Sequence, residues 1–260
     1  MKIEAVIFDW AGTTVDYGCF APVQAFVSAF EEYGITPTVE EVRKPMGMLK
    51  RDHICTMMNM DRIKKLWKEK HGADFTEDDV DAVYQESERS ILKILHNFAE
   101  VKTHVKEVVQ QLREQGIKIG STTGYTDEMM EIVVPEAKKN GYEPDYWCSP
   151  NKVGNMGRPY PYMIFENLRQ LKVTAVQNAV KVGDTISDIK EGKNAGLISV
   201  GVVEGSSLMG LSEEEYLALS SEQREEKCRE VEQKYQECGA DYIIRDMSEL
   251  IPLLKDLSAK

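Results

Sequence analysis

The sequence predicts an α/β protein in which a doubly wound parallel sheet is interrupted by an all-helical insertion. Short β-branched and aromatic runs alternate along the chain with helix-type apolar spacing, which is typical of a parallel sheet with helices on both faces. Residues 20–100 break this alternation, because they keep helical spacing throughout and contain no convincing strand. With 42% hydrophobic and 29% charged residues in 260, the chain has the composition of a globular protein of one or two domains.

The first predicted strand is Ile3–Phe8, a β-branched and aromatic run that ends directly before Asp9. Similar runs predict strands at residues 117–122, 179–184, 197–202 and 241–244. Helices are predicted at residues 105–115, 127–140, 160–171, 187–195 and 248–257. Residues 212–237 are rich in Glu, Lys and Gln, and are predicted to form a solvated helix before the last strand.

The simplest domain organisation is a core of residues 1–19 and 101–260 with residues 20–100 as a helical cap. The insertion starts directly after the first strand and its loop. Ligands of doubly wound sheets bind outside the carboxyl ends of the strands. We therefore expect the cap to lie over that edge of the core.

The charge balance restricts the classes of partner. The chain has 32 Lys and Arg against 44 Asp and Glu, a formal net charge of −12, which argues against non-specific binding to nucleic acid or an anionic membrane. No apolar run approaches the ~20 residues of a spanning helix, and no signal peptide precedes the first strand, so a cytoplasmic protein is expected. The five cysteines form no CxxC pair and are expected to be free thiols.

Residues that suit phosphoryl transfer follow the predicted strands in order. Asp9 directly follows the first predicted strand and precedes a Gly-Thr turn, where a carboxylate can attack phosphorus while backbone N–H groups bind phosphate oxygens. A hydroxyl follows at Thr123, a cation at Arg158 and an acidic strand end at Asp184. A nucleophile, a hydroxyl, a fixed cation and an acidic metal site are the parts that phosphoryl transfer requires.

In order and spacing, these segments resemble the four motifs of the haloacid dehalogenase superfamily. Residues 9–13, 45–50, 122–125 and 157–161 together resemble, more narrowly, its phosphonatase family, and the resemblance covers essentially the whole chain. It implies a Rossmann-like core with a helical cap, in a homodimer joined through the cap. It also implies magnesium-dependent cleavage of a small molecule, phosphonoacetaldehyde, to acetaldehyde and phosphate.

Two residues make this chemistry sensible independently of the family. Phosphatases of the superfamily carry a second Asp two residues after the nucleophile, which protonates the departing alkoxide, whereas this chain has Ala11 there. Lys50 offers another route, because its amine can condense with an aldehyde to form a Schiff base. When Asp9 then attacks phosphorus to form an aspartyl phosphate, a neutral enamine departs. The missing acid and the additional lysine explain each other.

Lys50 must be partly neutral to attack a carbonyl, so its pKa must fall below the ordinary ~10.4. The apolar neighbours Met46, Met48 and Leu49 are expected to desolvate the amine. His53 follows three residues later on the same predicted helical face, and is expected to relay protons.

The resemblance also implies a metal site and a substrate site. Mg²⁺ prefers oxygen ligands, and it would be held by Asp9, the backbone carbonyl of Ala11 and Asp184. Asp188 would lie behind these ligands, although an acidic residue at a helix N-terminus is also favoured by the helix dipole alone. The substrate and phosphate contacts that the resemblance implies are Thr123, Gly124, Tyr125, Arg158, His53, Met46, Gly47 and Cys19. For Tyr125, ordinary packing remains an equal alternative.

Three alternatives stay open from the sequence. A haloacid dehalogenase also lacks the second Asp but needs no metal, and Asp184 and Asp188 argue against it. A phosphatase or mutase acting on sugar phosphates is disfavoured because Ala11 removes its general acid. A catalytically silent phosphate-binding protein that reuses the fold is the third alternative, because fold alone does not determine function.

Overall fold

The computed structural model describes residues 2–46 and 50–259, and the chain divides into two compact units. The sheet unit comprises Met1–Cys19 and Ala99–Lys260, and the helical unit comprises Phe20–Phe98. Each unit has its own buried apolar cluster.

Among the described residues, six strands form one parallel sheet in the order β3-β2-β1-β4-β5-β6. The strands are β1 (Ala5–Phe8), β2 (Lys118–Thr122), β3 (Tyr146–Cys148), β4 (Ala179–Gly183), β5 (Ile198–Val202) and β6 (Tyr242–Ile244). This topology, with helices inserted after β1, confirms the predicted α/β fold class.

The α-helices follow the predicted alternation. Those of the helical unit are α1 (Phe20–Glu32), α2 (Val39–Arg43), α3 (Lys50–Met58), α4 (Asp61–His71) and α5 (Glu77–Ile94). Those of the sheet unit are α6 (Val105–Glu114), α7 (Asp127–Lys139), α8 (Tyr162–Gln170), α9 (Ile186–Ala195), α10 (Glu213–Ala218), α11 (Ser221–Glu237) and α12 (Leu250–Ala259).

Strand β1 lies at the centre of the sheet, where all four of its residues are buried. Its Ala5 is in register with Lys118 of β2 on one side and with Ala179 of β4 on the other. The ladder continues one residue past the strand, because the N–H of Asp9 donates to the carbonyl of Val182 at 2.9 Å. Asp9 is thereby fixed at the carboxyl end of the central strand.

The helical unit is organised around α1 and α5, which pack against each other. Phe26, Phe30 and Trp67 belong to its buried cluster. Helices α2 and α5 begin with capping boxes at Thr38 and Thr76, in which the threonine side chain and an acidic residue satisfy backbone N–H groups reciprocally. In the part of the chain that the structure describes, no helix is long and apolar enough to cross a membrane.

The structure corrects two element predictions. Strand β3 was not predicted, because its three residues at the sheet edge are too few to show a period. The helix predicted at residues 212–237 is two helices, since Ser212 and Ser220 each form a capping box that starts a new helix. It is also not simply solvated, because Tyr216 and Tyr235 are buried. The prediction of free thiols holds for all five cysteines.

Candidate active site

The carboxyl ends of three neighbouring strands bring the predicted polar residues together. Asp9 follows β1, Thr123 follows β2 and Asp184 follows β4. Because β1 lies between β2 and β4, the residues that follow these strands meet at one edge of the sheet. All three are at least 95% buried, so their charges and hydroxyl groups act in a poorly hydrated setting.

Asp9, Asp184 and Asp188 form a buried cluster in which each offers a carboxylate oxygen, and these oxygens lie within 4.8 Å of one another. Three like charges that are removed from water repel one another strongly unless positive charge is supplied. The donors are all oxygen atoms, which suits a hard divalent cation. The cluster therefore fits a divalent metal ion.

Asp184 is held from two sides. Its Oδ1 accepts a hydrogen bond from the Thr13 hydroxyl at 3.0 Å, and its Oδ2 accepts one from the Ser207 N–H at 2.8 Å. Burial, followed by the charges of Asp9 and Asp188, raises the pKa of Asp184 to about 8. A cation at this position would favour the ionised carboxylate.

The turn after Asp9 lies directly against Asp184. Gly12 has a φ of +84°, and a Cβ at this position would lie 2.3 Å from Oδ2 of Asp184. A side chain here would therefore displace the carboxylate as well as strain the backbone. Ala11 lies in the same turn, where it forms an isolated β-bridge with Val15, and its methyl group cannot donate a proton. Lys102 holds the turn in place, because its ammonium donates to the carbonyl of Gly12 at 2.5 Å.

Asp188 differs from Asp184 in its partners. Its Oδ2 closes the capping box of α9 by accepting from the N–H of Thr185 at 3.1 Å. Its Oδ1 lies 3.0 Å from Nη1 of Arg158 and 2.9 Å from Nζ of Lys181. Burial alone would raise the pKa of Asp188, but these two cations outweigh it and hold the pKa below its ordinary value. Both of its oxygens therefore already face protein cations or donors.

Arg158 is the predicted cation, and its side chain is 10% exposed. Its Nη2 forms an ion pair with Oδ1 of Asp9 and donates to the carbonyl of Thr122 at 2.8 Å. Its Nε lies 3.2 Å from Oε2 of Glu191. Arg158 thus places positive charge directly beside the carboxylate that follows β1.

Thr123, Gly124 and Tyr125 form the turn after β2. The Thr123 hydroxyl oxygen accepts from the N–H of Tyr125 at 3.0 Å, which leaves the hydroxyl proton for another acceptor. Gly124 is exposed, and a Cβ there would meet nothing within 4 Å. Tyr125 is buried, and burial together with the charges of Asp16, Cys19 and Asp9 raises its pKa well above the ordinary value. Cys19 is 8% exposed and lies at the end of the first segment of the sheet unit.

The remaining predicted residues lie in the helical unit. Lys50 begins α3, and its Nζ lies 2.7 Å from Oε1 of Glu88 on α5. Burial lowers the pKa of Lys50, whereas the charge of Glu88 acts in the opposite direction. Met46 is partly buried against the apolar cluster of the unit. Gly47 lies outside the described residues, as do Met48 and Leu49 of the same motif.

His53 is 1% exposed and stacks on the ring of Phe26, with ring centroids 4.2 Å apart. Burial lowers its pKa to about 4, although a backbone hydrogen bond with Val42 opposes this change. Its Nε2 has no hydrogen-bond partner among the described residues. At neutral pH the imidazole is therefore uncharged.

Four residues were not identified from the sequence: Lys181, Glu191 and Lys102 in the sheet unit, and Glu88 beside Lys50 in the helical unit. Lys181 carried a signal, because it is the charged residue in the otherwise apolar run of β4. A lysine in a strand that is covered on both faces needs buried partners. The other three lie in helices or loops with many charged residues, where the sequence pattern does not distinguish a buried partner from a solvated one.

Comparisons with known proteins show what the chain is similar to. A sequence model of the haloacid dehalogenase-like hydrolases matches residues 3–196. The chain is 51% identical over 258 residues to a phosphonoacetaldehyde hydrolase of Lysinibacillus sphaericus (strain C3-41), covering 99% of this chain and 96% of that protein. It is 52% identical over 250 residues to a phosphonoacetaldehyde hydrolase of Bacillus cytotoxicus, covering 96% of this chain and 94% of that protein.

A solved structure is similar over nearly the same extent. The crystal structure of a phosphonoacetaldehyde hydrolase-like protein from Oleispira antarctica matches with a TM-score of 0.92 at 36% sequence identity. The match covers 98% of this chain and 92% of that chain, so that both compact units are included.

Proposed function

Because the chain belongs to the haloacid dehalogenase-like hydrolases, and within them to the phosphonoacetaldehyde hydrolases, we propose that it hydrolyses phosphonoacetaldehyde to acetaldehyde and phosphate. The observation that supports this most directly is the environment of Asp9. The carboxylate is paired with Arg158 and lies in an acidic cluster with Asp184, while Ala11 occupies the position of a phosphatase's general acid. The site is equipped to attack phosphorus and not to protonate a departing oxygen.

We assign the first covalent step to Lys50. Its nitrogen lone pair adds to the aldehyde carbon of the substrate, water leaves, and an iminium forms. Lys50 must lose a proton for this step, and the burial that lowers its pKa favours the neutral amine. Glu88, 2.7 Å away, is placed to hold that amine in a fixed direction.

Asp9 performs the second step. Its carboxylate attacks phosphorus, the carbon–phosphorus bond breaks, and the electron pair of that bond converts the iminium into a neutral enamine. Asp9 becomes an aspartyl phosphate. Protonation of the enamine carbon and hydrolysis release acetaldehyde and free Lys50, and water cleaves the acyl phosphate to phosphate and Asp9.

We propose that the metal is Mg²⁺, held by Asp9, the backbone carbonyl of Ala11 and Asp184. It would supply positive charge to the phosphoryl oxygens. Asp188 would not bind the metal directly, because its oxygens already face Thr185, Arg158 and Lys181.

The remaining assignments concern substrate binding and assembly. Arg158, Thr123 and Gly124 would bind the phosphoryl oxygens, with the free hydroxyl proton of Thr123 as one donor. We assign Tyr125, His53, Met46, Gly47 and Cys19 to the surroundings of the aldehyde. The uncharged His53 is suited to accept a proton at Nε2. The helical unit would exclude water as a cap, in a cytoplasmic homodimer joined through the caps.

One assay tests the function as a whole. The purified protein is incubated with phosphonoacetaldehyde in Mg²⁺ or in a chelator, and acetaldehyde and phosphate are measured in parallel. We expect equal amounts of both products, formed only with Mg²⁺, and no product from Asp9→Asn. Halide release from haloacids without metal would instead support a dehalogenase. If none of these substrates gives a product, a catalytically silent phosphate-binding protein would be supported.

A further inference from the structure

Lys181 is buried in the middle of the sheet unit. It lies in β4, and its side chain is fully excluded from solvent. Its Nζ donates to the hydroxyl oxygen of Thr122 at 2.7 Å, and lies 2.9 Å from Oδ1 of Asp188 and 3.2 Å from Oε2 of Glu191. A lysine is placed at such depth only where its charge is balanced. Every one of these partners lies next to Arg158.

Glu191 is the second member of this group. It follows Asp188 by three residues on α9, so both carboxylates lie on the same face of the helix. It is also fully buried, and its Oε2 accepts from the Thr122 hydroxyl at 2.9 Å. The same oxygen lies 3.2 Å from Nε of Arg158. Glu191 therefore contacts Nε of the guanidinium, whereas Asp9 contacts Nη2.

The packing of α9 on the sheet makes room for this group. A Cβ on Gly192 would lie 2.9 Å from Cβ of Lys181 and 2.2 Å from the hydroxyl of Ser199. Glycine thus allows the helix to approach β4 closely enough for Glu191 to reach the lysine. The arrangement depends on the backbone, and not on two flexible surface side chains that happen to meet.

The charges around Arg158 indicate what Lys181 and Glu191 do. Arg158 faces three carboxylates, those of Asp9, Asp188 and Glu191. If Arg158 were the cation for all of them, little of its charge would remain for a bound oxyanion. Lys181 shares Asp188 and Glu191 with it. Lys181 thereby offsets one of the two negative charges of Asp188 and Glu191, so Arg158 keeps more positive charge for a bound oxyanion than it would without the lysine.

We propose that Lys181 and Glu191 are positioning residues, a buried ion pair that fixes Arg158 beside Asp9 and thereby sets the affinity of the site for phosphoryl groups. Neither residue touches the substrate. This inference rests on the proposed function only in that Arg158 binds the phosphoryl group.

The test compares four variants, of which Glu191→Asp keeps the charge on a shorter side chain. Glu191→Gln is nearly isosteric, and Lys181→Met/Glu191→Met removes one buried charge of each sign, which avoids leaving either charge unbalanced. Lys193→Met, on the same helix, removes the cation of the exposed pair with Asp241 and is the matched control. For each folded variant, kcat, KM, the inhibition constant of inorganic phosphate and borohydride trapping at Lys50 are measured.

In Glu191→Gln and in Lys181→Met/Glu191→Met, we expect kcat to fall and phosphate inhibition to weaken by about 10-fold or more, in line with the loss of groups that orient a catalytic residue. Trapping at Lys50 should match the parent, and Lys193→Met should be unchanged throughout. Glu191→Asp should recover part of the loss. If Glu191→Gln, or the double variant where it folds, keeps kcat and phosphate inhibition close to those of the parent, the positioning role is wrong. Absence of trapping in the parent would instead contradict the proposed function.

Discussion

The ammonium of Lys50 on α3 and the carboxylate of Glu88 on α5 form an ion pair with a distance of 2.7 Å between Nζ and Oε1. Both side chains are about three-quarters buried, with exposed fractions of 22% and 24%. The pair brings together a residue that the sequence singles out and one that it does not. The charge of Glu88 opposes the effect of burial on the pKa of Lys50.

The first prediction follows from this opposition. In Glu88→Gln the negative charge is lost, so the pKa of Lys50 should fall further, and the neutral amine should be present at lower pH. The pH midpoint of borohydride trapping with phosphonoacetaldehyde should therefore move to lower pH. Glu86→Gln, whose carboxylate pairs with the exposed Arg89 on the same helix, is the control and should not move it. An unchanged or higher midpoint in Glu88→Gln would mean that Glu88 does not act on Lys50.

The second prediction concerns Lys50 itself. Borohydride added during turnover should reduce the iminium and inactivate the enzyme, and peptide mapping by mass spectrometry should find the added two-carbon group on Lys50. Lys50→Arg should lose turnover by about 10³-fold or more, because an always protonated guanidinium cannot form the imine. Lys65→Arg, at an exposed lysine of the same unit, is the control. A label on another residue, or normal turnover of Lys50→Arg, would rule out the Schiff base at this position.

The third prediction separates the metal from the amine. Asp184→Ala should lose hydrolysis by roughly 10³-fold, the equivalent of about 4 kcal/mol of transition-state stabilisation. It should still form the imine, because imine formation involves the aldehyde and Lys50 only. Phosphate release and borohydride trapping, measured on the same preparation, test both statements. Full activity of the parent after exhaustive chelation would contradict the metal site.

The fourth prediction concerns Ala11. In Ala11→Asp a new carboxylate enters a site that already contains Asp9 and Asp184. In the proposed mechanism Lys50 acts on the same substrate, so the new charge should raise the pKa of Lys50 during turnover. Turnover of phosphonoacetaldehyde should fall by about 10-fold, which corresponds to one unit of pKa. Any weak activity on simple phosphomonoesters should stay the same or rise, because an acid for the departing oxygen is restored. A folded Ala11→Asp that cleaves phosphonoacetaldehyde faster than the parent would show that an acid was missing.

The fifth prediction concerns stability. Gly12→Ala should destabilise the protein by about 2–4 kcal/mol, because the residue has a positive φ and its Cβ would collide with Asp184. Gly116→Ala is the matched control, since its φ is +70° but a Cβ there meets nothing within 4 Å. Its cost should be only that of the left-handed conformation, about 1–2 kcal/mol. Urea unfolding of both variants measures the difference, and equal losses would show that the contact with Asp184 is unimportant.

Much of the edge of the sheet could be predicted, because the carboxyl ends of parallel strands must meet. Asp9, Thr123 and Asp184 each follow a strand that the sequence pattern predicts, so their placement at one edge of the sheet could be expected. The ion pair between Arg158 and Asp9 could not be predicted in the same way. Arg158 lies in a loop, and the path of a loop has no period from which it can be inferred.

The partners of Lys181 and Glu191 depend on tertiary packing. Both residues lie in elements that the pattern identified, but the distance between β4 and α9 is set by how closely Gly192 lets the helix approach. Strand β3 was missed because its pairing with β2, and not its own three residues, makes it a strand. Such features depend on neighbours that are remote in sequence.

The central position of β1 also has a consequence for biosynthesis. Ala5 emerges early from the ribosome, yet its partners are Lys118 and Ala179, so the sheet cannot close until β4 has been translated. The apolar β1 must remain unpaired while the whole helical unit is made, and we expect that unit to fold first because residues 20–98 form a compact unit that is continuous in sequence. Translation arrested between β2 and β4 should therefore leave a folded helical unit joined to an aggregation-prone strand, which is the nascent state most in need of a chaperone.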